Sequence, residues 1–143
     1  MRRRLQAIDL KVKAIPEAKR PRVFVELGSS PLYTAGPGST VDEVITRAGG
    51  RNVAADLGKP FATIARETVM AADPGIVIIG TGSVKGEGVA AFAKEPGFDR
   101  LAATRSGRVY DHLDPAILFH QNHRLVDGIE TLLRLFHGSE AKP

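Results

Sequence analysis

The chain has no cysteine and no tryptophan, and only 6% of its 143 residues are aromatic. The missing thiols exclude disulfides, thiolate metal sites and cysteine nucleophiles, and they assign the protein to no compartment. No run of about 20 apolar residues exists, so no membrane-spanning helix is expected. The start Met1-Arg-Arg-Arg imitates a signal peptide, but Asp9, Lys11 and Lys13 break up the stretch where its apolar region would lie. As written, the chain is not expected to be exported by that route. No Gly-x-Ser-x-Gly elbow surrounds Ser29, Ser30 or Ser83, which argues against a hydrolase.

The length suits one domain with a proper core. A 43% hydrophobic and 25% charged composition is that of an ordinary globular domain. The formal charge of +4 is uneven. Arg2, Arg3, Arg4, Lys11, Lys13, Lys19, Arg20 and Arg22 face only Asp9 and Glu17 within residues 1–22. The basicity therefore belongs to the N-terminal segment, where a solvated helix face explains it, and no nucleic-acid partner is expected.

Leu5, Ile8, Val12 and Ile15 fall on one stripe of a helix that Pro16 and Pro21 end. Such a stripe must be buried against something. Residues 22–27 read as a buried strand that Gly28-Ser-Ser-Pro31 ends, with a loop running to Gly38. Ser39 sits at an N-cap position and Asp42 can answer it as a capping box. Val41, Val44, Ile45 and Ala48 form the buried face of that helix, and Gly49-Gly50 is its C-cap. Residues 51–60 read as a connection, residues 66–72 as a helix stopped by Asp73-Pro74, and residues 76–79 as a strand covered on both faces. A loop over residues 80–88, a helix about 88–93, a Pro96-Gly97 turn, a short helix near Leu101, a third strand over residues 108–113 and a long closing helix complete the chain. This order implies a Rossmann-like, three-layer α/β domain with a largely parallel sheet.

Two motifs compete for chemistry. Gly80-Thr-Gly82-Ser-Val-Lys85 comes after a strand, but Lys85 stands where a dinucleotide loop has its third glycine, and no Walker Gly-Lys-Ser/Thr occurs. A nucleotide-binding enzyme using this loop is the alternative reading. His120-x-x-His123 lies near His112 and Asp114, but no third ligand is spaced so as to demand a metal. These residues suit a cleft edge, because loops beyond the carboxyl ends of strands line the ligand crevice in open α/β sheets.

The order Val-Phe-Val-Glu-Leu-Gly-Ser-Ser-Pro31-Leu-Tyr33-Thr34-Ala-Gly36, then Ala-Gly49-Gly50-Arg-Asn52, then Lys-Pro60-Phe61, then Arg66-Glu67-Thr-Val-Met-Ala-Ala-Asp73-Pro74 before an apolar strand resembles a known pattern. It is similar to the C-terminal lobe of the cobalamin-, haem- and iron-siderophore-binding proteins that serve ABC importers. The resemblance covers nearly the whole chain and rests on order and spacing, not on one diagnostic motif. It implies one lobe of a two-lobed binding protein, with residues 1–21 as the end of an inter-lobe helix and linker, 22–138 as the lobe and 139–143 as a tail.

The implied partners are a missing N-terminal lobe, the permease subunits and a small-molecule metal chelate (ferric siderophore, haem or cobalamin). The implied location of the parent protein is extracytoplasmic, in the periplasm or at the cell surface. No catalysis and no resident cofactor or metal are implied. By position, Tyr33 and Phe61 resemble the aromatic residues facing the cleft, His120 and Arg124 fall among further ligand contacts, and Glu67 resembles the glutamate that docks on permease arginines. Three positions depart from the pattern. Ala65 replaces a common capping serine, Gly75 a common aspartate, and Phe61 stands where cobalamin binders often carry tryptophan. An isolated lobe should bind ligand weakly or undetectably, and it is a candidate homodimer through an exposed Leu5–Ile15 stripe and the uncovered inter-lobe face.

Overall fold

The computed structural model describes residues 2–29, 32–80, 87–111 and 124–137. The core is a four-stranded parallel sheet of β1 (Arg22–Glu26), β4 (Arg51–Asn52), β6 (Ile76–Ile79) and β7 (Val109–Tyr110), in the order β4-β1-β6-β7. A second, antiparallel sheet has the order β2-β3-β5, from Gly28–Ser29, Leu32–Ala35 and Phe61–Thr63. The helices are α1 (Arg2–Lys13), α2 (Thr40–Arg47), α3 (Arg66–Ala72), α4 (Glu87–Lys94), α5 (Ala102–Ser106) and α6 (Arg124–His137).

Alternation along the strands builds the three layers. Val23, Val25, Ile76 and Ile78 pack with Ile8 of α1, Val41, Val44 and Ile45 of α2, and Ile129, Leu132 and Phe136 of α6. Phe24, Val77, Ile79 and Val109 point the other way, onto Val69 of α3, Phe92 of α4 and Ala103 of α5. Both faces of the sheet are thus covered, as the unbroken apolar strands require. The expected α/β class is the observed one.

The Leu5–Ile15 stripe is not exposed. Ile8 keeps 2% of its surface, and Leu5, Val12 and Ile15 pack against the same cluster. Arg4 adds ion pairs to Asp127 and Glu130 of α6, and Arg47 of α2 pairs with Asp9 at 3.8 Å. The stripe is spent within the chain, so it offers no dimerisation surface. Much of the basic N-terminal segment is spent likewise: Arg20 donates to Val12 O and Arg22 caps α3 at Ala72 O.

Helix α2 starts and ends as its residues dictate, with one difference. Ser39 Oγ accepts from Asp42 N–H at 3.0 Å. Asp42 does not return the bond to Ser39. Its carboxylate accepts from Asn52 Nδ2 at 3.0 Å, and Ser39 N–H turns to Gly36 O instead. At the other end Gly50 N–H reaches Ile45 O and Gly49 N–H reaches Thr46 O, a Schellman cap with Gly49 at φ +84°.

Residues 28–29, 32–35 and 51–52, expected as loop and connection, are strands. Each is too short to carry a detectable alternation, and β4 is defined by its pairing with Arg22 and Val23 of β1. Asn52 fastens the two sheets together. Only 7% exposed, it donates to Ala35 O at 2.9 Å and to Asp42, and its Oδ1 accepts from Ala54 N–H at 3.0 Å. Asn52→Ala strands these buried groups, and the expected loss is about 2–3 kcal/mol. The urea unfolding midpoint checks it; an unchanged midpoint would show that Asn52 fastens nothing.

Candidate functional site

Strand order reverses between β1 and β6: the chain steps from β1 out to β4, then back across to β6 and β7. In open α/β sheets the ligand crevice lies beyond the carboxyl ends of the strands at this reversal. The antiparallel sheet stands at that point. Its first strand begins two residues after β1 ends, and Leu27 N–H bonds Tyr33 O at 2.8 Å. Thr34, fully buried, donates its hydroxyl to Val25 O at 2.7 Å and roots β3 on β1.

The register of β3 with β5 pairs Tyr33 with Thr63, Thr34 with Ala62 and Ala35 with Phe61. Opposed residues in an antiparallel pair share a face, so Tyr33 and Phe61 are diagonal neighbours on one face. Phe61 is 47% exposed and Tyr33 is half-buried. An aromatic pair is thereby offered at the crest from segments 28 residues apart in sequence. Gly36 permits the approach. Its N–H donates to Pro60 O at 2.8 Å, and a Cβ there would lie 2.4 Å from the Lys59 carbonyl oxygen.

Glu67 lies in the first turn of α3, four residues after β5 ends, and is exposed. Ala65 occupies the N-cap without a side-chain hydrogen bond, as the missing serine implied. The helix dipole still favours a carboxylate there. Beside it Arg66 pairs with Glu95 at 3.0 Å. His120 lies outside the described residues, as do His112, Asp114, His123, the side chain of Arg124 and most of the Gly80–Gly88 loop. The structure thus brings Tyr33 and Phe61 together and places Glu67 on the neighbouring helix. Among the described residues, no cluster of three or more histidines and carboxylates is arranged to hold a metal.

Two residues of this region carry roles that their sequence context did not disclose. Asn52 was visible in Gly-Gly-x-Asn without a role. Glu26 is the last residue of β1 and is a charged side chain directly after the apolar run Val23-Phe24-Val25, which is the signal that marks it. It is 6% exposed. Burial, and then the nearby Glu95 carboxylate, push its carboxyl up to about 7. Asp111, at the end of β7, is also buried, but it accepts from Val89 N–H at 3.0 Å and holds the start of α4.

The fold defines the chain as an α/β unit of the open-sheet kind, with a small antiparallel sheet at its strand-order reversal. Comparison with known proteins gives the family. Residues 1–116 match the model of the periplasmic binding proteins, and the chain belongs to that family. It is 43% identical over 70 residues to a vitamin B12-binding protein of Salmonella typhi, covering 49% of this chain and 26% of that protein. A cobalamin-binding protein of Halobacterium salinarum is 34% identical over 113 residues, covering 76% of this chain and 25% of the relative. A solved periplasmic haem-binding protein of Pseudomonas aeruginosa superposes with a TM-score of 0.77 at 32% identity, over 96% of this chain and 50% of that one. The chain thus matches about a quarter of the curated relatives and half of the solved structure.

The Glu26 carboxyl makes stability depend on pH in an unusual direction. Its folded-state value lies above the unfolded one, so the folded chain binds more protons between about 4.5 and 7. Stability then falls as pH rises through that window, by at most about 1.4 kcal/mol per pH unit from this group. Glu26→Gln, neutral at every pH, should flatten this dependence and stabilise the fold above pH 7. Thermal melts at pH 5, 6, 7 and 8 decide it; equal slopes for both proteins would refute the assignment.

Proposed function

We propose that the chain is the C-terminal lobe of an extracytoplasmic substrate-binding protein that delivers a flat metal chelate (haem, corrin or ferric siderophore) to an ABC importer. The observation that carries this reading is the β3–β5 register, which sets Tyr33 and Phe61 on one face at the strand-order reversal. A macrocycle or catecholate presents flat apolar surface, and aromatic faces stack on it at about 0.5–1.5 kcal/mol per pair beyond area burial. Relatives named for vitamin B12 and cobalamin, and a solved structure named for haem, support this ligand class. Phe61 in place of tryptophan shifts the balance away from cobalamin.

In this reading His120 and Arg124 supply a polar rim, the guanidinium pairing with a carboxylate of the ligand. Glu67 faces outward to a cationic patch on the permease. A second lobe supplies the opposite wall, and the ligand is bound and released without covalent chemistry.

Half a cleft binds weakly. Dissociation constants weaker than about 100 µM, equivalent to roughly −5.5 kcal/mol, are expected for haemin and cyanocobalamin with this chain alone. Amide NMR titration should shift or broaden signals around Tyr33 and Phe61 first, and Phe61→Ala should weaken binding about threefold to tenfold. Sub-micromolar one-to-one binding would contradict the half-cleft. Perturbations that avoid Tyr33 and Phe61 would remove the aromatic wall.

A further inference from the structure

Helix α3 is short and lightly anchored. Val69 is its buried side chain, and Ala65 gives it no side-chain N-cap. Arg66 and Met70 stand one turn apart on a shared face of the helix, and both reach the turn that follows α4. Arg66 pairs with Glu95 at 3.0 Å. Met70 lays its Sδ and Cε against Gly97, where a Cβ would come within 2.7 Å and 2.5 Å of them. Gly97 has φ +87° and no side chain of its own, so the thioether covers bare backbone. Phe98 follows directly, is buried, and stacks on Phe92 with ring centroids 4.7 Å apart. The turn thus forms the rim of the core beneath α3, and two clasps hold the helix to it.

One clasp is chemically labile. Met70 is 41% exposed although its thioether end is packed. The chain has no cysteine and no tryptophan, and its methionines are Met1 and Met70. Among the described residues, therefore, Met70 is the side chain that a two-electron oxidant attacks most readily.

We propose that Met70 is a peroxide-sensitive modification site, and that its oxidation releases one of the two clasps between α3 and the 95–97 turn. The sulfur lone pair attacks one peroxide oxygen. An S–O bond forms and the O–O bond breaks. The proton of the transferred hydroxyl passes to the departing hydroxide, which leaves as water. Sulfur is oxidised by two electrons and the peroxide is reduced by two. The product is a polar, chiral sulfoxide. Its oxygen needs room where Sδ lies on Gly97 and prefers water to backbone carbon, so the side chain swings outward. Helix α3 then leans on the Arg66–Glu95 pair, which is partly exposed and screened by salt. The consequence for Glu67, in the turn before Met70, rests on its reading as the docking carboxylate; the modification does not.

The test treats the native chain with hydrogen peroxide and follows it by mass spectrometry, amide NMR and hydrogen exchange. Met70 in the folded chain should gain one oxygen at a rate within about tenfold of that of free methionine. The amides of Gly97, Phe98 and Arg66–Val69 should move with it, and exchange in α3 should quicken and become salt-dependent. Methionine sulfoxide reductases should restore the original signals. Met70→Leu conserves volume; it should keep the fold and abolish the peroxide response of α3 while Met1 still oxidises. If that variant does not fold, the oxidised and repaired native chain decides alone. Oxidation of Met70 more than about a hundredfold slower than free methionine, or a sulfoxide that leaves Gly97, Phe98 and α3 unmoved, overturns the proposal. No readout uses a ligand or a permease, so a failure of the docking reading stays distinct from a failure here.

Discussion

Strand β1 is the constraint on which the rest depends. It is hydrogen-bonded on both edges, to β4 and β6, and covered on both faces by helices. A strand so enclosed sheds every polar side chain along its length except at its ends. Arg22 at one end reaches out to cap α3. Glu26 at the other is left with its side chain buried. Where the chain leaves β1, its backbone groups must still be satisfied. The antiparallel sheet does this, through Leu27 with Tyr33 and Thr34 with Val25.

That small sheet is why an aromatic surface exists at the crest. It is held by Leu27 on Tyr33, by Thr34 on β1 and by Asn52 on Ala35, and Gly36 meets Pro60 between its own strands. Asn52 ties the same carbonyl to the first turn of α2 by way of Asp42. The diversion of Asp42 from Ser39 to Asn52 shows how this is achieved. One of the contacts that a local capping box would hold is given up for a contact between elements. Local and global requirements compete for one carboxylate, and the buried amide wins because leaving it unpaired costs more.

Electrostatics grade outward from the core. The ion pairs of Arg4 and Arg47 are largely exposed and screened, and they dock α1 without dominating its energy. That energy comes from Ile8 and its stripe. Around α3, Arg66 pairs with Glu95 at 3.0 Å beside the exposed Glu67. The antiparallel crest and α3 are neighbours along the chain, joined by the short link from β5 to α3.

Sequence by itself determined the layers, the parallel core and most element ends. Long apolar runs and periodic stripes report burial directly, as in Ile76–Ile79 and the stripe of α6, and Ser39 and Gly49-Gly50 mark their helix ends through local bonds alone. The family pattern also named Tyr33, Phe61 and Glu67. Tertiary structure decided what depends on partners distant in the chain. Strands β2 and β4 are two residues each and exist only through pairing, so no local pattern announces them. The meeting of Tyr33 with Phe61 comes from a register set by backbone bonds across 28 residues. The perturbed carboxyl of Glu26 comes from burial and from Glu95, 69 residues away. Local spacing records what a segment prefers; hydrogen-bond pairing and burial decide which distant segments share a site.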